Sequence, residues 1–128
     1  MSYYVLDASA LMALLHEEPG NDKVAQAVKD GAAISTVNLS EVASKLSELG
    51  TPEALIQDAI NVLKLTIVDF NTEFAYKVGL LRPLTKHAGL SLGDRACLAL
   101  AQHLNLPALT TDRVWQDLSL DVTVQLIR

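Results

Sequence analysis

A chain of 128 residues, half of them apolar, has the material for one domain with a single sizeable core. Its formal net charge of −5 excludes nonspecific nucleic-acid binding through a broad basic surface, and its one cysteine, Cys97, excludes an internal disulfide or a thiolate metal cluster. No basic leader precedes Tyr3 and no apolar run approaches the length of a membrane span, so the expectation is a cytoplasmic protein without membrane association.

In chain order, Tyr3–Leu6 reads as a short buried strand ending at Asp7, and Ser9–Leu15 has helical spacing that breaks at Pro19-Gly20. A second helix is predicted from Asn21 to about Asp30, then a strand over Ala32–Ser35. An amphipathic helix over Asn38–Leu49 is closed by Gly50, and Pro52–Leu63 reads as a further helix with proline in its first turn. Leu65–Asp69 is the next predicted strand. Helices over Thr72–Leu81 and Ser91–Leu104 flank a polar joint, placed at the surface, that carries Arg82, Pro83, Lys86, His87 and Gly89. Pro107–Thr110 and Val122–Leu126 complete the strands. Alternation of strands and helices predicts an α/β domain over residues 1–128 with a mostly parallel sheet.

In such a sheet, ligands bind beyond the carboxyl ends of the strands, which discriminates among the fifteen acidic residues. Asp7 ends the first strand, Glu41 follows the second, Asp112 lies just past Ala108-Leu109-Thr110, and Asp94 opens a helix. Each has an ordinary alternative role. Asn38 and Ser91 stand three residues before Glu41 and Asp94, the spacing of a capping arrangement, while Asp7 and Asp112 can cap the turns that follow them. Four acids crowded at one edge repel one another unless a cation neutralises them. Oxygen ligands without a histidine or cysteine cluster favour Mg²⁺ or Mn²⁺ over zinc, and one or two such ions suit phosphodiester cleavage.

The segments Leu6-Asp7-Ala8-Ser9-Ala10, Asn38-Leu39-Ser40-Glu41-Val42, Ser91-Leu92-Gly93-Asp94-Arg95 and Leu109-Thr110-Thr111-Asp112-Arg113-Val114-Trp115, in this order, resemble the PIN-domain family. The likeness is greatest to the VapC toxins of bacterial toxin–antitoxin pairs. It implies a three-layer α/β fold, helices on both faces of the sheet, and Mg²⁺- or Mn²⁺-dependent cleavage of RNA by in-line attack of an activated water. It assigns the catalytic and metal-binding positions to Asp7, Glu41, Asp94 and Asp112, with Thr110 and Ser9 as supporting hydroxyls. It also implies a VapB-like antitoxin entering the groove, and a homodimer formed through helices. Some relatives carry a further acid after the last motif; here Asp117 is displaced from that place and reads as solvated.

Arg95 and Arg113 directly follow two of the acids and suit either a substrate phosphate or an ordinary surface ion pair. Lys86 and His87 read as solvated loop residues, His16 and His103 as structural, and Trp115 as packed rather than stacked on a base. Val42, Leu46, Leu49, Leu55 and Ile56 form a stripe expected in the core or at an interface. Other enzyme classes fit less well. An aspartyl-nucleophile phosphatase calls for a second aspartate two residues after the first, where Ser9 stands; a phosphate-receiver domain calls for an acidic pair where Leu6 stands; and no glycine-rich phosphate loop is present. A catalytically silent module that uses the carboxylates for metal-stabilised folding or partner docking is the remaining alternative.

Overall fold

The computed structural model describes residues 1–128. Five parallel strands, β1 (Tyr4–Leu6), β2 (Ala32–Ser35), β3 (Thr66–Val68), β4 (Ala108–Thr110) and β5 (Val124–Leu126), pair in the order β3-β2-β1-β4-β5. They are connected by helices α1 (Ala8–Leu15), α2 (Asn21–Asp30), α3 (Thr36–Glu48), α4 (Glu53–Asn61), α5 (Thr72–Leu80), α6 (Arg82–Thr85) and α7 (Leu92–Leu104). Short 3₁₀ turns occupy Lys86–Ala88 and Arg113–Asp117. The expected three-layer α/β arrangement is therefore present, with a sheet that is parallel throughout.

The strands are short, but side-chain alternation commits both of their faces to packing. Val5, Ala33 and Ala108 face one layer, where they meet α5 and α7 through Phe74, Val78, Cys97, Leu98 and Leu100. Their neighbours Leu6, Ala32 and Leu109 face the other, against Ala10 and Ala13 of α1 and Val24 and Ala27 of α2. Ile34 joins that second layer through Leu11, Val42 and Leu46. Trp115 is buried in the first layer, as the sequence suggested.

Three local features differ from the sequence reading. Helix α3 starts at Thr36 rather than Asn38, because Ser35 ends β2 and turns its Oγ to accept from the Val37 N–H at 3.1 Å. Asn38 is thus an interior, buried helix residue and not the cap. The joint after α5 is not a simple surface loop: it forms α6 and a 3₁₀ turn, with Thr85 fully buried and its Oγ1 donating to the Leu81 carbonyl at 2.8 Å. The apolar stripe also divides: Val42 and Leu46 are core, whereas Leu49 and Leu55 are exposed. No helix is long and apolar enough to cross a membrane.

The chain leaves β1 toward β2 and β3, then returns through α5, α6 and α7 to place β4 on the other side of β1. The connections after β1 and β4 consequently diverge, which opens a crevice at their carboxyl ends. Asp7 follows β1 and Asp112 follows β4 at that crevice.

Candidate active site

A cavity of about 310 Å³ lies at this edge, and its lining includes Asp7, Glu41, Asp94 and Asp112 together with Asn38 and Lys45. All four acids singled out by sequence are thus brought to one place, from four different elements or their ends.

Asp7 is the most enclosed of them. Its Oδ1 accepts from the Ala10 N–H at 2.8 Å, capping α1, and its Oδ2 accepts from the Thr110 hydroxyl at 2.6 Å. The Ser9 hydroxyl lies 2.7 Å from Oδ1 and 2.9 Å from Oδ2, so its single proton serves either oxygen. Ser9 is itself anchored across the crevice, its Oγ accepting from the Thr111 N–H at 3.0 Å, and Thr110 is fixed within its own turn, its Oγ1 accepting from the Asp112 N–H at 3.0 Å. These bonds lock the end of β1 to the end of β4. Burial pushes the Asp7 carboxyl from its ordinary 3.8 up to about 6; the bonds from Thr110, Ala10 and Ser9 oppose that rise, and the negative charge of Asp94 adds to it.

Asp94 forms a reciprocal capping box with Ser91, its Oδ2 accepting from the Ser91 N–H at 2.9 Å while Ser91 Oγ accepts from the Asp94 N–H at 3.1 Å. The capping role and the cavity position coexist, since Oδ1 makes no protein hydrogen bond. Asp112 is similar: Oδ1 accepts from the Val114 N–H at 3.0 Å and Oδ2 is free.

Glu41 is held differently. Because α3 starts at Thr36, Glu41 lies beyond the first turn and does not cap the helix. Its Oε1 instead accepts from Asn38 Nδ2 at 2.8 Å, and the same amide nitrogen donates to the Gly93 carbonyl of α7 at 3.0 Å. Two acceptors on one NH₂ group fix the amide orientation, which leaves Asn38 Oδ1 buried without a hydrogen-bond partner. Gly93 has a matching requirement: a Cβ there would run into the Glu41 carboxylate, 2.6 Å from its Cδ. Asn38 and Gly93 are positioning residues that sequence alone does not reveal: the spacing of Asn38 to Glu41 equally fits a cap, and the role of Gly93 depends on a residue on another helix.

The two arginines do not line the cavity. Arg95 Nη1 donates to the Val78 carbonyl of α5 at 3.0 Å, which ties the side chain to the neighbouring helix, and Arg113 is exposed on the 3₁₀ turn without an ion pair. The cation at the cavity is Lys45, one helical turn after Glu41. Cys97 is buried beneath the site; desolvation, then the charges of Asp7, Asp94 and Glu41, raise its thiol far above the usual range and make it a packing residue.

The donors facing the cavity fit a hard divalent cation. They are carboxylate oxygens, with one oxygen each on Glu41, Asp94 and Asp112 free of protein hydrogen bonds, and no histidine or cysteine lines the space. As placed, no three acidic side chains converge closely enough to share one ion. A cation at this cavity would therefore take one or two carboxylates directly and keep several waters, a coordination that Mg²⁺ accepts.

The family profile described as PIN domain matches residues 4–119. No curated protein matches by sequence. Solved structures similar in fold include VapBC2 from Rickettsia felis bound to a DNA fragment from its promoter, with 17% identity, a TM-score of 0.75, and coverage of 97% of this chain and 98% of that one. VapBC-1 from nontypeable Haemophilus influenzae is 17% identical with a TM-score of 0.68, covering 98% of each chain. VapBC-5 from Mycobacterium tuberculosis, a member of the VapBC family of toxin-antitoxin systems, is 21% identical with a TM-score of 0.60, covering 100% of this chain and 99% of that one.

Proposed function

This chain belongs to the PIN domain family, and from that premise we propose that it is a Mg²⁺- or Mn²⁺-dependent endoribonuclease, the toxin of a toxin–antitoxin pair. The observation that carries the reading is the convergence of Asp7, Glu41, Asp94 and Asp112 on one cavity at the topological switch point. Likeness in fold to VapBC proteins supports the toxin assignment and a small antitoxin partner. A homodimer belongs to the same reading, and the exposed apolar side chains Tyr76, Leu80 and Leu84 are consistent with one.

Glu41, Asp94 and Asp112 each offer a free oxygen, and one or two of them would hold a cation directly. Asp7, fixed by Thr110, Ser9 and Ala10, supplies a carboxylate that cannot swing away. A divalent cation bound there supplies an activated water and offsets the charge of the phosphate. The protein's own share is orientation: the capping box aims Asp94, and the Asn38 clamp holds Glu41 against α7. The cation would also offset the repulsion between this acidic cavity and an RNA phosphate.

The test is RNA cleavage by purified protein freed of any antitoxin. Cleavage with Mg²⁺ or Mn²⁺ that stops in Asp94→Asn is expected; the variant keeps a capping oxygen at residue 94, so its fold is retained. Cleavage persisting in Asp94→Asn would assign the activity to a contaminant or another site. No cleavage of any RNA would favour the catalytically silent module. The toxin assignment predicts growth arrest on expression that a cognate antitoxin relieves, and unimpaired growth with active protein would count against it.

A further inference from the structure

Beside the acidic cavity lies a second, larger groove of about 680 Å³, and the two share Ser9, Lys45 and Thr111 in their walls. Its far end holds His16 and Arg128, and its apolar surface comes from Met12 and Leu49. Lys45 stands at the junction. It is exposed and makes no ion pair, the chain's ion pairs being Lys77 with Glu73 and Arg128 with Glu18. His16 is exposed at the end of α1, and its ring makes no hydrogen bond within the protein.

A phosphodiester cut in the acidic cavity belongs to a polymer, so the phosphate on one side of it must pass a neighbouring surface. That neighbouring phosphate lies one step beyond a cation bound at the acidic cavity and needs a positive side chain of its own. Lys45 is separated from Glu41 by one helical turn, a rise of about 6 Å, so the two side chains leave the same face of α3. Beyond it, an exposed Leu49 and an unpartnered imidazole offer a surface on which a base can stack. Arg128 is engaged by Glu18 and by the Pro19 carbonyl, and Glu48 also lines the groove, so its free positive charge is confined to the end nearest the acids.

We propose that this groove is a subsite for the single nucleotide flanking the scissile phosphate of a single-stranded RNA, with Lys45 holding its phosphate and His16 and Leu49 receiving its base. The inference rests on the nuclease reading above and adds the direction in which the strand leaves the acidic cavity. Confinement of the free charge to Lys45 limits the subsite to one phosphate. Continuity with the acidic cavity favours the strand that is cut there over a protein segment.

Binding separates the two readings. In the Asp94→Asn background, which is not expected to cleave, a fluorescent single-stranded RNA is titrated by anisotropy at several salt concentrations, alone and with Lys45→Ala, Lys45→Arg or His16→Ala added. Lys45→Ala is expected to raise Kd roughly three- to tenfold, and to reduce the slope of log K against log salt by about 0.7, the loss of one phosphate contact on a single strand. Lys45→Arg should keep that slope, and His16→Ala should raise Kd without changing it. Unaltered affinity and slope in Lys45→Ala, with the Asp94→Asn parent binding RNA and the wild type cleaving it, overturns the subsite alone and leaves the groove to a protein partner. Failure of the wild type to cleave and of the parent to bind removes the nuclease reading and the subsite together.

Discussion

Replacing Asp7 by Asn should make the metal-free protein more stable at neutral pH while destroying its function. The Asp7 carboxyl, raised by burial from 3.8 to about 6, is ionised at pH 8 in an environment that disfavours the charge. Because the folded-state value lies above the unfolded one, the stability contributed by the protonated acid is fully present below pH 3.8, falls as the pH rises, and is lost above about 6. A displacement of this size corresponds to about 3 kcal/mol at most, since each unit is worth roughly 1.4 kcal/mol. Asparagine is neutral at every pH, its oxygen can still accept from Ala10 and its NH₂ can face Thr110. The Asp7→Asn variant should therefore exceed the wild type by about 1–3 kcal/mol at pH 8, by about half as much near pH 5, and not at all below 3.8. Urea denaturation of both proteins in chelator, across this range, measures the difference directly. Addition of Mg²⁺ should then stabilise the wild type more than the variant, which has one negative charge fewer at the cavity. A variant equal to or less stable than the wild type at pH 8 would refute the claim that Asp7 is held ionised against its surroundings.

Gly93→Ala should separate stability from activity in a different way. Gly93 is the second residue of α7, where the exchange gains less than the ~1 kcal/mol of a helix interior, and the new Cβ must displace the Glu41 carboxylate, so metal affinity is expected to fall roughly 10–100-fold in a calorimetric titration while Tm changes little. Unchanged metal affinity would show that Glu41 is not a ligand. Ser91→Ala removes the cap of α7 and should cost about 1 kcal/mol by denaturant titration. It should also lower activity, because the Asp94 N–H loses its acceptor, Ser91 Oγ, and only the bond from the residue 91 N–H is left to aim the carboxylate. Cys97 should resist thiol reagents in the native protein and react at the rate of global unfolding; fast labelling under native conditions would contradict its burial.

The parts of the fold and site that were legible in the sequence are those set by neighbouring residues. Apolar runs ending in an acid placed Asp7 and Asp112, and the Ser91–Asp94 spacing placed a capping box that the structure contains. Where several residues compete for one local role, sequence is ambiguous: Ser35, Thr36 and Asn38 can each cap a helix, and only the end of β2 decides for Ser35. That shift of the helix start is what turns Asn38 inward and makes it a clamp. Gly93 and Lys45 were unreadable for a related reason, because their roles follow from the packing of α3 against α7 and of α1 beside α3, contacts between segments far apart in the chain. Arg95 illustrates the converse. Adjacency to Asp94 suggested a phosphate contact, but helical geometry points consecutive residues in different directions, and its guanidinium meets Val78 on α5.

The central claim is that these carboxylates form a divalent-cation site, and Mn²⁺ titration followed by electron paramagnetic resonance tests it without reference to any RNA. Saturable binding of one or two ions per chain, lost in Asp94→Asn and competed by Mg²⁺, is the predicted result. A wild-type protein that leaves Mn²⁺ free, or one whose binding is untouched by Asp94→Asn, would contradict it.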